Sequence, residues 1–137
     1  SVTTYSWDAE NGTTVKLTTT PALSEETKAG ENFNSAAEIL VHPSGQFVYS
    51  SNRGHATMSV YGANPETGEL EVVQVQPIRG AFPRNINLSP DAEWLLAAGA
   101  DSNTVAVHAV DQETGKLTYQ RGNIINVPSP ICILFAP

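Results

Sequence analysis

The chain repeats itself with a period of 47 residues. Residues 37–43 (AEILVHP) return as residues 84–90 (RNINLSP) and again as residues 131–137 (ICILFAP). A period of this length, filled with short apolar runs and turn residues, is typical of a β-propeller, in which each repeat forms one four-stranded blade. The sequence therefore predicts an all-β fold: a propeller fragment of about two complete antiparallel blades, with partial blades at both ends.

The two complete repeats each divide into four short strands. We place strands at 37–41, 46–51, 58–63 and 69–75 in the first repeat (residues 36–76), and at 84–88, 93–98, 104–109 and 116–120 in the second (residues 83–121). These runs are rich in β-branched and aromatic residues and are separated by proline- and glycine-containing turns. The turn PETG at 65–68 returns as QETG at 112–115, so both repeats follow one plan.

The two ends of the chain are predicted to be incomplete blades. Residues 1–18 fit the third and fourth strands of a preceding blade, and residues 130–137 fit a lone closing first strand. Because a closed propeller needs at least about four blades, we expect the C-terminal part of a single propeller domain, with the remaining N-terminal blades as its partner. Between residues 19 and 35, Ser24 is placed to cap a single helical turn.

Charge and hydropathy narrow the range of partners. The chain has 14 acidic and 7 basic residues, which argues against nucleic acid binding through a basic surface. It contains no apolar run of the ~20 residues that a membrane helix needs, and we expect no membrane partner. Cys132 is the only cysteine and lies in an apolar run, so we expect it to be a buried small hydrophobic residue.

The longer connections of such blades gather on one side, which we call the top face. It comprises the loops 52–57 and 99–103 and the links 19–36, 76–83 and 121–130. Long, irregular connections on a rigid scaffold commonly carry function. The top face includes Arg53 and His55. Glu38, Arg84 and Asn85 stand at the starts of first strands, which line the central channel of a propeller, so their side chains are expected at its mouth.

Several of these segments together resemble the signature of the lactonase family of seven-bladed propellers. They are residues 36–45 (AAEILVHPSG), 51–55 (SNRGH), 83–85 (PRN), 89–91 (SPD) and 128–135 (PSPICILF). The resemblance covers nearly the whole chain. It implies hydrolysis of a small anionic sugar-acid lactone, as in pentose phosphate metabolism, with no cofactor and in the cytoplasm. It also implies that the chain depends on the remaining blades for activity.

Opening a lactone ring requires an attacking water, a base and a donor for the oxyanion. We predict Glu38 as the base, with His55 as a proton shuttle because histidine titrates near neutral pH. We predict Arg84 as the anion or oxyanion ligand, Arg53 as a second cationic contact and Asn85 as a donor to a substrate carbonyl or hydroxyl. No metal site is predicted, because the scattered histidines lack ligand spacing.

Structural roles are the alternatives for the same residues. Glu38 could form an ion pair with Arg84 or Arg53 that merely bridges two blades, and His55 could be a solvated loop residue. Two other functions also fit the cationic mouth. One is a cyclase or lactonising enzyme acting on a muconate-type diacid, and the other is a non-catalytic propeller that binds a ligand or a protein.

Overall fold

The computed structural model describes residues 1–136, and within them forms ten strands and one short helix. In chain order the elements are β1 (Val2–Asp8), β2 (Thr13–Thr20), α1 (Glu25–Ala29), β3 (Ser35–Val41), β4 (Phe47–Arg53), β5 (Thr57–Ala63), β6 (Leu70–Pro77), β7 (Pro83–Leu88), β8 (Trp94–Gly99), β9 (Thr104–Val110) and β10 (Leu117–Asn126). They form three antiparallel sheets: the hairpin β1–β2 (the half-blade), β3–β6 (the middle blade) and β7–β10 (the last blade). The predicted all-β propeller fragment is confirmed.

The helix cap agrees with the prediction from the sequence, and the length of the last strand differs from it. Helix α1 begins after Ser24, whose Oγ accepts a hydrogen bond from the Thr27 N–H at 3.1 Å, as the capping prediction requires. Strand β10 is longer than predicted and extends to Asn126. Its pairing with β9 shifts between Tyr119 and Ile124, so a bulge absorbs extra residues and lets the strand pair again beyond it.

The C-terminal segment, residues 131–136, corrects the expectation for Cys132, while the predicted closing strand stays a prediction. No strand forms over these residues, because a strand needs a ladder partner and none of the described residues supplies one on that side. Instead, the main chain of Ile133 is bonded to two side chains of β7. Cys132 is exposed rather than buried, since no described blade covers it. Pro137 lies outside the described residues.

The blades pack face to face through their central strands. Every residue of β4 except Arg53 is buried, because successive side chains point to opposite faces and both faces are covered. The cluster between the middle and last blades comprises Phe47, Tyr49, Met58, Val60, Ile78, Ile86, Leu95, Ala97, Val110 and Leu117. The cluster between the half-blade and the middle blade comprises Val2, Ala22, Leu23, Val48 and Tyr61. This packing fixes neighbouring first strands relative to each other.

Polar contacts also join the middle and last blades. The Tyr49 hydroxyl donates to the Gly115 carbonyl at 3.0 Å. The Gln74 side chain bonds both main-chain groups of Leu117, at 2.7 Å to its N–H and 3.0 Å to its carbonyl. Such bonds between buried or half-buried groups give hydrogen-bond partners to polar atoms that packing removes from water. The relative position of β3 and β7 is therefore set by both apolar and polar contacts.

His108 lies fully buried on β9, between the middle and last blades. Its Nε2 atom is 3.3 Å from the Pro77 carbonyl oxygen of β6, and its ring centroid is 5.7 Å from that of Tyr119. Burial lowers the pKa of His108 below its ordinary value of 6.5; the bond to Pro77 opposes this shift, and the positive charge of Arg79 adds to it. The folded state therefore favours the neutral imidazole.

We expect acid to lower the free energy of unfolding through protonation of His108 in the unfolded chain. Below pH 6.5 the unfolded chain binds a proton at this residue and the folded chain does not, so the free energy of unfolding falls by up to about 1.4 kcal/mol per pH unit. The loss stops once pH drops below the folded-state pKa. Urea unfolding at pH 7.5 and pH 5.0 measures it, and His108→Gln should show a smaller difference. An equal difference in the variant would contradict the assignment.

Candidate active site

The first strands β3 and β7 each contain a β-bulge at the same repeat position. In β3 the pairing with β4 shifts between Ala36 and Ile39, and in β7 the pairing with β8 shifts between Pro83 and Asn85. The extra residue of β7 is therefore Arg84. Bulges redirect side chains and are common beside active sites. Here they occur on the neighbouring strands that carry the predicted site residues.

Glu38 and Asn85 meet across the boundary between the two blades. The Asn85 Nδ2 atom donates to Glu38 Oε2 at 2.6 Å. The other carboxylate oxygen of Glu38 accepts from the Ile39 N–H at 3.2 Å, and the Glu38 N–H donates to Ser51 Oγ at 3.0 Å. Both side chains are half-buried. The carboxylate is thus held in one orientation while it retains unused lone pairs for a further donor.

Arg84 directly precedes Asn85 in β7 and is exposed. Among the described residues, no ion pair or side-chain hydrogen bond engages its guanidinium, and the alternative of a Glu38–Arg84 ion pair is not observed. The partner of the Glu38 carboxylate is the neutral amide of Asn85. A guanidinium without a bonded partner can donate two parallel N–H hydrogen bonds to a carboxylate, a phosphate or a developing oxyanion.

Arg53 is hydrogen-bonded to the start of β3. Its Nη2 atom donates to Ser35 Oγ at 2.7 Å and to the Ala36 carbonyl at 3.0 Å. The guanidinium carbon lies 5.5 Å from the ring centroid of Phe82, which stacks on Phe33 at 6.1 Å. Arg53 therefore fixes the chain that leads to Glu38, and the alternative of an ion pair between Arg53 and Glu38 is not observed in the part of the chain that the structure describes.

His55 is separated from the Glu38–Asn85 pair. Its Nδ1 atom is 2.9 Å from Thr57 Oγ1, and its Nε2 atom is 3.7 Å from a carboxylate oxygen of Glu31. It borders an apolar cavity of about 570 Å³ that also contacts Val72 and Val75 of β6, the outermost strand of the blade. Glu38 lies on the innermost strand, so the structure does not bring the predicted proton shuttle to the predicted base.

Asn87 is a further residue near the site that the sequence motifs did not indicate. This residue follows Asn85 by two positions on β7, and its Nδ2 atom donates to the carbonyl of Ile133 at 2.9 Å. Side chains two positions apart on a strand share a face, so the alternation of Asn85 and Asn87 was the signal available in the sequence. Ser51, which bonds the Glu38 main chain, gave no comparable signal.

The structure also bears on metal and membrane association. Within residues 1–136, no three histidine, cysteine, aspartate or glutamate side chains lie close enough together to hold a metal ion. Over the same residues, no helix has the length and apolar character needed to cross a membrane.

Four-stranded blades in succession, with polar residues on adjoining first strands, define a β-propeller with a candidate catalytic site at those strands. The chain belongs to the lactonase family of 7-bladed β-propellers, whose family model matches residues 1–135. The family prediction from the sequence motifs is confirmed.

The similar proteins include several named lactonases. The chain is 32% identical over 102 residues to the 6-phosphogluconolactonase of Bacillus subtilis, covering 74% of this chain and 29% of that protein. It is 29% identical over 126 residues to a probable 6-phosphogluconolactonase of Arthroderma benhamiae, covering 88% and 32%. The crystal structure of a putative 6-phosphogluconolactonase from Bacteroides uniformis superposes with a TM-score of 0.85 at 32% identity, covering 98% and 36%. The chain spans about a third of the length of these relatives.

Proposed function

We propose that these blades carry part of the active site of a lactonase, and that the substrate is a phosphorylated sugar-acid lactone such as 6-phosphogluconolactone. The observation that carries the proposal is the Glu38 carboxylate, oriented by Asn85 at 2.6 Å, together with the exposed Arg84, which directly precedes Asn85 in β7. The names of the relatives support the reaction and the substrate class. Because the chain spans about a third of their length, the other blades of a complete ring would supply the rest of the site.

The proposed chemistry is base-catalysed hydrolysis. Glu38 takes a proton from a water molecule as the water oxygen attacks the lactone carbonyl carbon. The carbonyl oxygen becomes an oxyanion, which accepts hydrogen bonds from Arg84. Collapse of this tetrahedral intermediate breaks the ring carbon–oxygen bond. The leaving ring oxygen recovers the proton from Glu38, which yields the open hydroxy acid and restores the carboxylate.

Of the other predicted residues, Arg53 has a supporting role in this proposal and His55 has none. Arg53 acts through the start of β3 because its guanidinium is bonded there. His55 is left out of the proton transfer, since its contacts are Thr57 and Glu31. The names of the relatives favour lactone hydrolysis over muconate-type cyclisation or non-catalytic binding. The cytoplasmic location and the dependence on other blades remain predictions.

Substitution of Arg84 tests the proposal. In a complete seven-bladed protein that carries these blades, Arg84→Ala should lower kcat/KM for the sugar lactone roughly 100-fold, because a donor to the oxyanion is lost. Steady-state hydrolysis assays measure the effect. Lys116→Ala is the control, since it removes a positive charge from an exposed position in the turn between β9 and β10. Wild-type turnover by Arg84→Ala would remove this residue from the mechanism.

A further inference from the structure

Asn85 occupies the middle of three equivalent repeat positions. Glu38 lies 47 residues before it and Cys132 lies 47 residues after it. Its amide is bonded in both directions: Nδ2 donates to Glu38 Oε2 at 2.6 Å, and Oδ1 accepts from the Ile133 N–H at 2.8 Å. The amide orientation is unambiguous, because a carboxylate can only accept and a main-chain N–H can only donate. Asn85 thus links the candidate base to residues 131–136.

Asn87 holds the same segment without touching Glu38. Its Nδ2 atom donates to the Ile133 carbonyl at 2.9 Å, and its Oδ1 atom accepts from the Leu88 N–H at 2.9 Å. The two asparagines therefore satisfy both main-chain groups of Ile133, as a neighbouring strand would. We call Asn85 and Asn87 the amide clamp. Among residues 1–136, the hydrogen bonds between the C-terminal segment and β7 are made by these two side chains.

We propose that the amide clamp couples the seating of the C-terminal segment to the orientation of the Glu38 carboxylate. When Ile133 is seated, its N–H fixes Asn85 Oδ1, so the amide group of Asn85 points at Glu38. When the segment leaves, the Asn85 amide is free to rotate, and the carboxylate loses its fixed donor. Asn85 is then a positioning residue and does not bind substrate, contrary to the role predicted from the sequence.

Coupling of this kind is reciprocal. A change at Glu38 should loosen Ile133, although Glu38 makes no hydrogen bond to that residue among those described. A change at Asn87 should in turn affect Glu38, although these two side chains share only Asn85 as an intermediary. A merely structural attachment of the segment predicts neither effect. The effect on turnover rests on the proposed function, whereas the effect on the segment does not.

Hydrogen exchange of the Ile133 amide in the 137-residue chain is the first test. We expect Asn85→Ala to speed exchange ~10-fold, because it removes the acceptor, and Glu38→Ala to speed it ~3-fold by freeing the Asn85 amide. The control Leu134→Ala, at a side chain that is 84% exposed, should leave the rate unchanged. Unaltered exchange of the Ala97 amide in β8 shows that a variant is folded. An Ile133 rate unaffected by Glu38→Ala overturns the coupling.

Turnover in a complete seven-bladed protein that carries these blades is the second test. Asn87→Ala should lower kcat ~3-fold or more with KM unchanged, because it loosens the segment and thereby the base. Wild-type kcat in Asn87→Ala, together with a raised KM in Asn85→Ala, overturns the positioning role in favour of direct substrate binding. Failure of the proposed function has a different signature, in which Ile133 exchange responds as expected but Glu38→Gln retains full kcat.

Discussion

Replacing Glu38 with glutamine is expected to lower kcat for lactone hydrolysis roughly 10²- to 10⁴-fold, the range for loss of a general base. The substitution preserves size but cannot accept the proton of the attacking water. Binding of the ground state should change little, so the loss should be in kcat with KM nearly constant. Steady-state kinetics of a complete seven-bladed protein that carries these blades would measure it.

The geometry around Glu38 also predicts a small structural cost. Its two carboxylate oxygens accept from Asn85 and from the Ile39 N–H. A glutamine has one oxygen, so it can satisfy only one of these donors. The cost should be about 1 kcal/mol of stability, far less than the effect on the transition state. A urea midpoint close to wild type would separate a loss of chemistry from a loss of folding.

Glu113→Gln is the matched control for this experiment. Glu113 is an exposed carboxylate in the turn between β9 and β10, so the substitution removes the same charge away from the first strands. It should leave kcat unchanged. If Glu38→Gln also leaves kcat unchanged, the carboxylate is not the base, and a non-catalytic binding role for these blades becomes the better explanation.

The strand pattern was predictable from the sequence because it depends on local properties. Apolar runs and turn residues recur every 47 residues, and each repeat folds into one blade whatever its surface residues are. The same spacing placed Glu38 and Asn85 at equivalent positions on adjacent first strands. The repeat thus brought the two positions close together, but it left open which side chain would bond the Glu38 carboxylate.

The partners of the site residues were not predictable in the same way. The bulge in β7 adds one residue at Arg84, and a one-residue change in register moves side chains to the other face. A neutral amide rather than a guanidinium therefore meets Glu38. The closing strand predicted at 130–137 stays a prediction, since a strand needs a paired neighbour and the described residues supply none on that side.

The position of His55 shows the same limit. The motif SNRGH placed Arg53 and His55 on one top-face loop, but the left-handed φ of 93° at Gly54 turns the chain between them. Arg53 turns towards the start of β3, and His55 turns towards Glu31. Arg53 and His55 therefore follow each other closely in the sequence but do not contact the same residues. Gly54, the residue between them, determines how this loop is held.

Replacing Gly54 with alanine is expected to destabilise the chain by about 3 kcal/mol or more. Gly54 has a φ of 93°, in the left-handed region that disfavours a side chain. A Cβ atom there would overlap the carbonyl oxygen of Phe33 and lie 2.8 Å from its carbonyl carbon. These are main-chain atoms, so no side-chain rotation relieves the clash. Urea unfolding of the 137-residue chain measures the loss.

Gly12→Ala separates backbone strain from the clash. Gly12 has a similar left-handed φ of 66°, and a Cβ atom there would have no neighbour within 4 Å. Its cost should be about 1 kcal/mol, from strain alone. The excess cost of Gly54→Ala then measures how tightly Phe33 is held. Because Phe33 stacks on Phe82, which lies under the Arg53 guanidinium, displacement of Phe33 should also loosen the start of β3. Equal costs for the two alanine variants would mean that the Phe33 segment moves aside freely and does not anchor the strand that carries Glu38.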